Sequence, residues 1–411
     1  MLKKSLFIAS LLVSFIVQAE NIRFTPGDGD LYLATKFLKT TYEDKKDNLG
    51  NFVISPLSVY AATTLLANGA TGGTFGELEN NILDLSKKSK AVKFFQPEPK
   101  RTEDQEATLN EVNQRLSLYI KEKSQFEMNN SVWGDEFLPT YIESVKTNLN
   151  AEAKSLPAHT STINEWIEEK TKKRIQKMLP ENHTQRNEFY LVNTVYFKDE
   201  WQSVFNELGT VIQKFHSLDG QMDDVYMMAK IEVIDYYEDD KIQAVRLPYK
   251  NADVMQILLP KQEVNFNEFI QKLSAQDLYL KYYPVPVFLK LPRFKTDLKI
   301  SMNDYFKKWH IQSIFDTRKA SLPMLSNEPK IVTDIIHQAN INVFEKGTEA
   351  AAATVISGKR TGRGRRDKPL SPKEWYIPFF AERPFIFMIN NGDFIGVYTK
   401  GKLVEISKLS E

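Results

Sequence analysis

The sequence predicts an α+β fold with mostly antiparallel or mixed sheets. Helical spacing clusters in the first half. Strand-length runs of branched and aromatic residues dominate the second, without the alternation of a doubly wound sheet. Apolar residues make up 42% and charged residues 26% of the 411, the balance of a chain that buries a core. No Pro/Gly/Ser-rich linker and no internal repeat interrupts the chain before about residue 340, although length alone favours two domains.

The first residues read as a leader. Lys3 and Lys4 precede an almost purely apolar run over 6–17, and Val17-Gln18-Ala19 offers small residues at signal-peptidase spacing. This predicts a secretory signal peptide over 1–19, cleaved after Ala19, and an extracellular product. The run is too short to span a bilayer well, and no later run is longer, so a soluble protein without membrane association is expected. There are no cysteines, which excludes disulfides, thiol catalysis and thiolate-bound zinc. Sequons begin at Asn129 and Asn182. Asn182 sits in a polar Glu-Asn-His-Thr turn and is the better acceptor. Asn129 leads into Ser131-Val132-Trp133, a candidate buried strand.

Residues 51–66 read as an extended entry, a Ser-Pro turn and a helix, with Ser55 as N-cap and Pro56 in the first turn. A loop over 69–74 and a helical stretch over 75–85 follow. Residues 87–101 are polar and basic and read as exposed. Ile163, Trp166, Ile167, Thr171, Ile175 and Leu179 share one face of a helix over 163–179. Strands are expected over 190–197, 244–247, 252–259, 287–291, 331–344, 385–389 and 394–398. Residues 298–309 are helical or mixed.

Catalytic chemistry is not encoded recognisably. The five histidines, His159, His183, His216, His310 and His337, show no metal-ligand spacing, and no metal site is assigned. There is no Gly-x-Ser-x-Gly elbow, P-loop or dinucleotide fingerprint, so no catalytic residue is assigned. Asp223-Asp224 and Asp239-Asp240 read as exposed turns. A net charge of +1 names no class of partner. Lys359, Arg360, Arg363, Arg365, Arg366, Lys368 and Lys373 face one acid, Asp367, in a run that could bind nucleic acid. It follows a leader, lacks interleaved aromatics and lies inside the chain, so nucleic acid is not assigned as a partner.

The stretch before that run is the informative one. In a strand, Thr348, Ala350, Ala352 and Thr354 share one face and Glu349 lies on the other. Such a segment can live in solvent and later slot into a sheet. Four alanines also suit a short helix, and composition leaves both readings open.

Glu345-Lys346-Gly347-Thr348-Glu349-Ala350-Ala351-Ala352-Ala353-Thr354 closely resembles the reactive-loop hinge of inhibitory serpins. Asn51-Phe52-Val53-Ile54-Ser55-Pro56-Leu57-Ser58 is similar to the segment entering the family's second helix. Asn193-Thr194-Val195-Tyr196-Phe197-Lys198-Asp199-Glu200-Trp201 is similar to the third strand of its large sheet. Phe380-Ala381-Glu382-Arg383-Pro384-Phe385-Ile386-Phe387 is similar to its C-terminal signature. The resemblance spans roughly residues 28–409, and the chain resembles secreted invertebrate members. It implies one domain over 20–411, with three β-sheets, eight to nine helices and an exposed reactive-centre loop over about 345–379.

The resemblance also implies a mechanism: a suicide inhibitor of a serine protease, trapping it as an acyl-enzyme when the cut loop inserts as a new strand. Ser55, Ser58, Asn193 and His337 match the family's shutter beneath that sheet. Trp201 matches the breach, where insertion starts, and Arg293 with Glu345 a breach ion pair. The stretch from Gly347 to Pro384 is longer than is typical. Insertion needs a fixed length on the hinge side, so counting from the hinge gives Arg360-Thr361 as the scissile bond, with Arg363-Gly364 second. An arginine there fits a trypsin-like protease, whereas Arg363-Gly364-Arg365-Arg366 also fits a furin-like convertase. A non-inhibitory carrier or chaperone is the alternative that the small-residue hinge weighs against. Lys87, Lys88, Lys90, Lys93, Lys100 and Arg101 lie where some family members bind heparin, which makes a heparin-like polyanion the one candidate cofactor. A monomer is expected.

Overall fold

A computed structural model describes residues 28–46, 50–83, 100–123, 125–171, 177–185, 188–348 and 376–405. The leader over 1–19, hinge residues Glu349, Ala350, Ala351, Ala352, Ala353 and Thr354, and the bonds Arg360-Thr361 and Arg363-Gly364 lie outside them.

Local chemistry sets the early elements. Helix α1 (Asp28–Asp44) leads to strand β1 (Phe52–Ile54) and helix α2 (Pro56–Gly69). The Ser58 N–H donates to Ser55 Oγ at 3.2 Å, and Pro56 opens the helix, as the sequence predicts. α2 is buried on every side, so its apolar residues show no stripe. The expected loop over 69–74 shrinks to Ala70 and Thr71, because Thr71 is tied through backbone and hydroxyl to Ser321 and α3 (Gly72–Leu78) starts at once. A π-turn (Glu79–Leu83) continues it.

Thr102 and Gln105 form a reciprocal capping box at the start of α4 (Glu103–Glu122). Then come β2 (Phe126–Trp133), α5 (Pro139–Leu149), β3 (Glu152–Lys154) and α6 (Ser161–Lys170). The helix expected through Leu179 therefore stops at Lys170. Asn164 explains why: its side chain accepts from the Leu179 N–H at 2.7 Å and donates to the Leu179 carbonyl at 2.9 Å. Leu179 thus reaches the core of Ile163 and Ile167 by folding back.

Strands dominate the rest. They are β4 (Glu188–Phe197), β5 (Asp199–Glu200), β6 (Val211–His216), β7 (Met222–Glu238), β8 (Ile242–Pro248) and β9 (Val254–Pro260). Helix α7 (Phe266–Lys272), β10 (Tyr283–Pro292), β11 (Phe294–Ser301) and α8 (Asn303–Lys308) precede β12 (Ile331–Phe344) and β13 (Gly347–Thr348). The chain ends in β14 (Ile377–Phe380), β15 (Phe385–Ile389) and β16 (Phe394–Tyr398). The stretch 298–309 is thus the end of β11 followed by α8. Asp223 and Asp224 lie within β7, not in a turn, whereas Asp239 and Asp240 do follow a strand end.

Eight α-helices surround two sheets among the described residues. The large sheet has the order β3-β2-β4-β12-β13-β5, with β11 on the free flank of β12. The other has the order β1-β16-β15-β9-β8-β7-β10-β14, with β6 also on β7. Three sheets were expected. The 17 residues of β7 pair with β6 at their start, with β10 from Met227 to Tyr236 and with β8 at the end, which joins the two smaller sheets into one ladder. One apolar cluster packs α1 and α2 against both sheets. A second fills the space between the upper large sheet and β15, and a third lies under α6.

Candidate functional site

The large sheet is closed at its centre and open at one end. β4 and β12 run parallel and pair from Glu188↔Ile331 to Tyr196↔Asn340. Beyond that, β13 folds back from β12 and wedges between it and β5, antiparallel to both: Thr348 pairs with Val343 and Asp199, Gly347 with Phe344 and Glu200. A strand continuing from Thr348 on this course would run between β4 and β12, antiparallel to each. The wedge is tight. A Cβ on Gly347, whose φ is +155°, would lie 2.2 Å from the Asp199 carbonyl oxygen and 2.6 Å from Glu200 Cα, so only glycine fits. The hinge therefore begins inside the sheet: Gly347 and Thr348 are buried, where an exposed loop start was expected.

Buried side chains brace this end. Trp201 donates from Nε1 to the Phe344 carbonyl at 2.9 Å, and its ring stacks on Tyr249 at 4.2 Å. The Tyr249 and Thr348 hydroxyls bond each other at 2.6 Å. Arg293 and Glu345 meet as the resemblance implies: Nε and Nη2 both reach Glu345 Oε1, at 2.7 and 2.6 Å, and Thr210 donates to the same oxygen. Glu345 is 1% exposed. Desolvation offsets much of such a pair's attraction, so its main effect is to penalise loss of either partner.

Of the shutter residues, Asn193 and His337 lie lower on β4 and β12, and Ser55 and Ser58 lie at the start of α2. His337 Nε2 accepts the Ser55 N–H at 3.3 Å. The ring proton therefore sits on Nδ1, 3.3 Å from Ser58 Oγ, which accepts it. Burial drives the His337 value down to about 3, so the ring is neutral. Asn193 pairs with His337 across the β4–β12 ladder, and its side chain donates sideways to Asn130 at 2.5 Å. The strands are joined at this level, not parted.

Sequence reasoning missed a buried network beside the shutter. Ser55 Oγ donates to the Asp393 carbonyl at 2.6 Å. The Asp393 carboxylate accepts from Tyr119 and Asn390; Asn390 also donates to Asp253 at 3.0 Å, and Lys123 pairs with Asp253. Burial raises Asp393 to about 6, against the help of these donors and Lys123 and with some push from Asp253. Asn390-Asn391-Gly392-Asp393 reads in sequence as a solvent-facing hairpin turn. Only the close flanking strands hint otherwise.

Two opposed pH effects follow. Asp393 binds its proton more tightly folded than unfolded, so it adds stability as pH falls through about 6 toward 4. His337 binds its proton less tightly folded, so stability present above about 6.5 is lost as pH falls toward 3. Each contributes about 1.4 kcal/mol per pH unit within its window. Relative to the unsubstituted chain, Asp393→Asn should steepen the acid loss of stability between pH 6 and 4, and His337→Gln should flatten it. Urea midpoints at pH 7, 6, 5 and 4 measure this; identical slopes in all three proteins would remove both assignments.

The remaining expected residues divide. Asn182 is exposed. Asn129 is half-buried within paired β2, its amide toward Thr194 Oγ1 at 3.4 Å. Lys87, Lys88, Lys90 and Lys93 lie outside the described residues, and Lys100 is exposed. Arg101 is not part of an exposed basic face. Its side chain is 8% exposed, its Nε meets Glu106 at 2.7 Å, and its Nη1 donates to the carbonyls of Ala67, Asn68 and Ala70. Those carbonyls end α2, where backbone acceptors are left over and a cation is favoured.

Known proteins agree with this arrangement. The family model described as serpin (serine protease inhibitor) matches residues 31–405. Mouse antithrombin-III is 27% identical over 87% of this chain and 76% of its own. Human leukocyte elastase inhibitor is 29% identical over 83% and 89%. Among solved structures, the thermophilic serpin tengpin in its native state superposes with a TM-score of 0.71 and 25% identity, covering 90% of this chain and 94% of that one. A sheet closed between β4 and β12, a hinge seated at its open end and a family match across nearly the whole described chain lead to one conclusion: the chain belongs to the serpin family, whose members are usually protease inhibitors.

Proposed function

We propose that the chain is a secreted suicide inhibitor of trypsin-like serine proteases. The observation that carries this is the wedge of β13, aimed antiparallel along a seam that insertion would open. The protease hydroxyl attacks the Arg360 carbonyl carbon, the Arg360-Thr361 C–N bond breaks, and Thr361 leaves as a free amine. Arg360 remains esterified to the enzyme. The freed chain then enters between β4 and β12 and carries the protease with it before water can release it. Relatives named for inhibition, such as the leukocyte elastase inhibitor, support the inhibitory reading. In the same proposal the leader is removed after Ala19, the product is an extracellular monomer, and Asn182 carries the glycan. A polyanion cofactor would use Lys87, Lys88, Lys90, Lys93 and Lys100, without Arg101.

The test is incubation with trypsin. An SDS-resistant complex should form, releasing a peptide with Thr361 at its new N-terminus, and Arg360→Ala should abolish the complex. A peptide beginning at Gly364 would move the bond to Arg363. Cleavage only after Arg366 would favour a convertase target. Undiminished trapping by Arg360→Ala would refute the assignment.

A further inference from the structure

His159 and His183, far apart in sequence, face each other across an isolated antiparallel bridge. The backbone bonds flank the pair: the Thr160 N–H donates to the Asn182 carbonyl at 3.0 Å and the Thr184 N–H to the Ala158 carbonyl at 3.1 Å. The histidines are therefore a non-hydrogen-bonded pair, the position where opposed residues approach most closely and point to one face. Their ring centroids are 4.2 Å apart with planes at 48°. Both are exposed, and among the described residues neither ring has a polar partner.

The backbone beneath them is fixed. Thr160 Oγ1 donates to the Pro180 carbonyl at 2.6 Å and accepts the Asn182 N–H at 2.9 Å, and Thr184 Oγ1 donates to the Pro157 carbonyl. Two imidazoles held side by side on rigid backbone lose little freedom on binding one ion. Metal–nitrogen bonds of about 2.1 Å require only side-chain rotation, since both rings face solvent. Imidazole selects zinc, copper or nickel over magnesium or calcium.

We propose that His159 and His183 chelate one divalent transition-metal ion of this class, with water completing its shell. The site has a consequence for the sheet. His159 lies just before α6 and His183 in the connection from α6 to β4. α6 covers Tyr190, Val192 and Ile336 on the two seam strands. A bound ion would staple the two ends of this cover together. That regulatory step rests on the inhibitory reading; the metal site does not.

Calorimetric titration of the full chain with Zn2+ at pH 7.5 tests the site directly. One ion per chain should bind, Mg2+ should give no heat of binding, and His159→Ala or His183→Ala should each weaken binding at least tenfold. Amide exchange over 155–160 and 180–185 should slow on adding Zn2+, and only in the unsubstituted chain. Absence of binding, binding unchanged by either substitution, or exchange indifferent to Zn2+ would overturn the proposal. None of these readings depends on whether the chain traps a protease. Slower trapping with Zn2+ would support the staple, and an unchanged rate would overturn the staple alone.

Discussion

Thr348→Arg should convert the chain from an inhibitor into a substrate. Thr348 is fully buried, pairs with both Val343 and Asp199, and bonds the Tyr249 hydroxyl. The acids near a guanidinium there are already engaged: Glu345 by Arg293 and Thr210, and the carboxyl of the paired Asp199 by Asn251 and the Glu200 N–H. An uncompensated buried charge costs about 3–5 kcal/mol, which is enough to expel β13. The first residue of any inserting strand could then not seat. Trypsin should still cut the loop, but the yield of covalent complex should fall at least tenfold on denaturing gels. Thr348→Val, which keeps the shape and forfeits one bond of about 1 kcal/mol, should still trap. Full complex formation by the arginine variant would count against insertion through this wedge.

Cleavage within the loop should make the protein more heat-stable, which inverts the usual effect of a nick. Insertion breaks the β4–β12 ladder and builds two in its place, a net gain of one ladder. About ten new bonds at about 1 kcal/mol each exceed the scatter of the other terms. At about 1 °C per kcal/mol for a chain this size, the midpoint should rise by about 10 °C by calorimetry. A nicked chain that melts at or below the intact one would mean the loop stays out, and a carrier role would gain.

How much was legible in the sequence depended on whether the cause was local. Ser55 and Pro56 cap α2 through neighbours, and β12 shows its alternation through Ile335, Ala339, Ile341 and Val343. Both were readable. The pairing of Arg293 with Glu345 came from the resemblance, since nothing near either residue requires it. The failures are tertiary. Arg101 looks like a surface cation until the spare carbonyls of α2 are placed beside it. Asn164 ends a helix that its face pattern would extend, because a side chain captures Leu179. β5 and β13 have two residues each, too few for any period to show. Asp393 gave no signal, because its partners Tyr119 and Ser55 lie hundreds of residues away in sequence.

The order of the second sheet bears on how the chain is made. β1 lies against β16, and β16 and β15 separate it from β9. Phe52 thus finds its partner Val397 almost a full chain length later. During synthesis, α1, β1 and α2 emerge first, yet the strands that complete their core come off the ribosome last. Domains that fold as they emerge cannot serve as the guide here. The nascent chain must keep its early apolar segments unpaired, and such long-range contacts form slowly. Stop codons anywhere before β15 should therefore leave the entire protein without a nucleus, not merely shorten it.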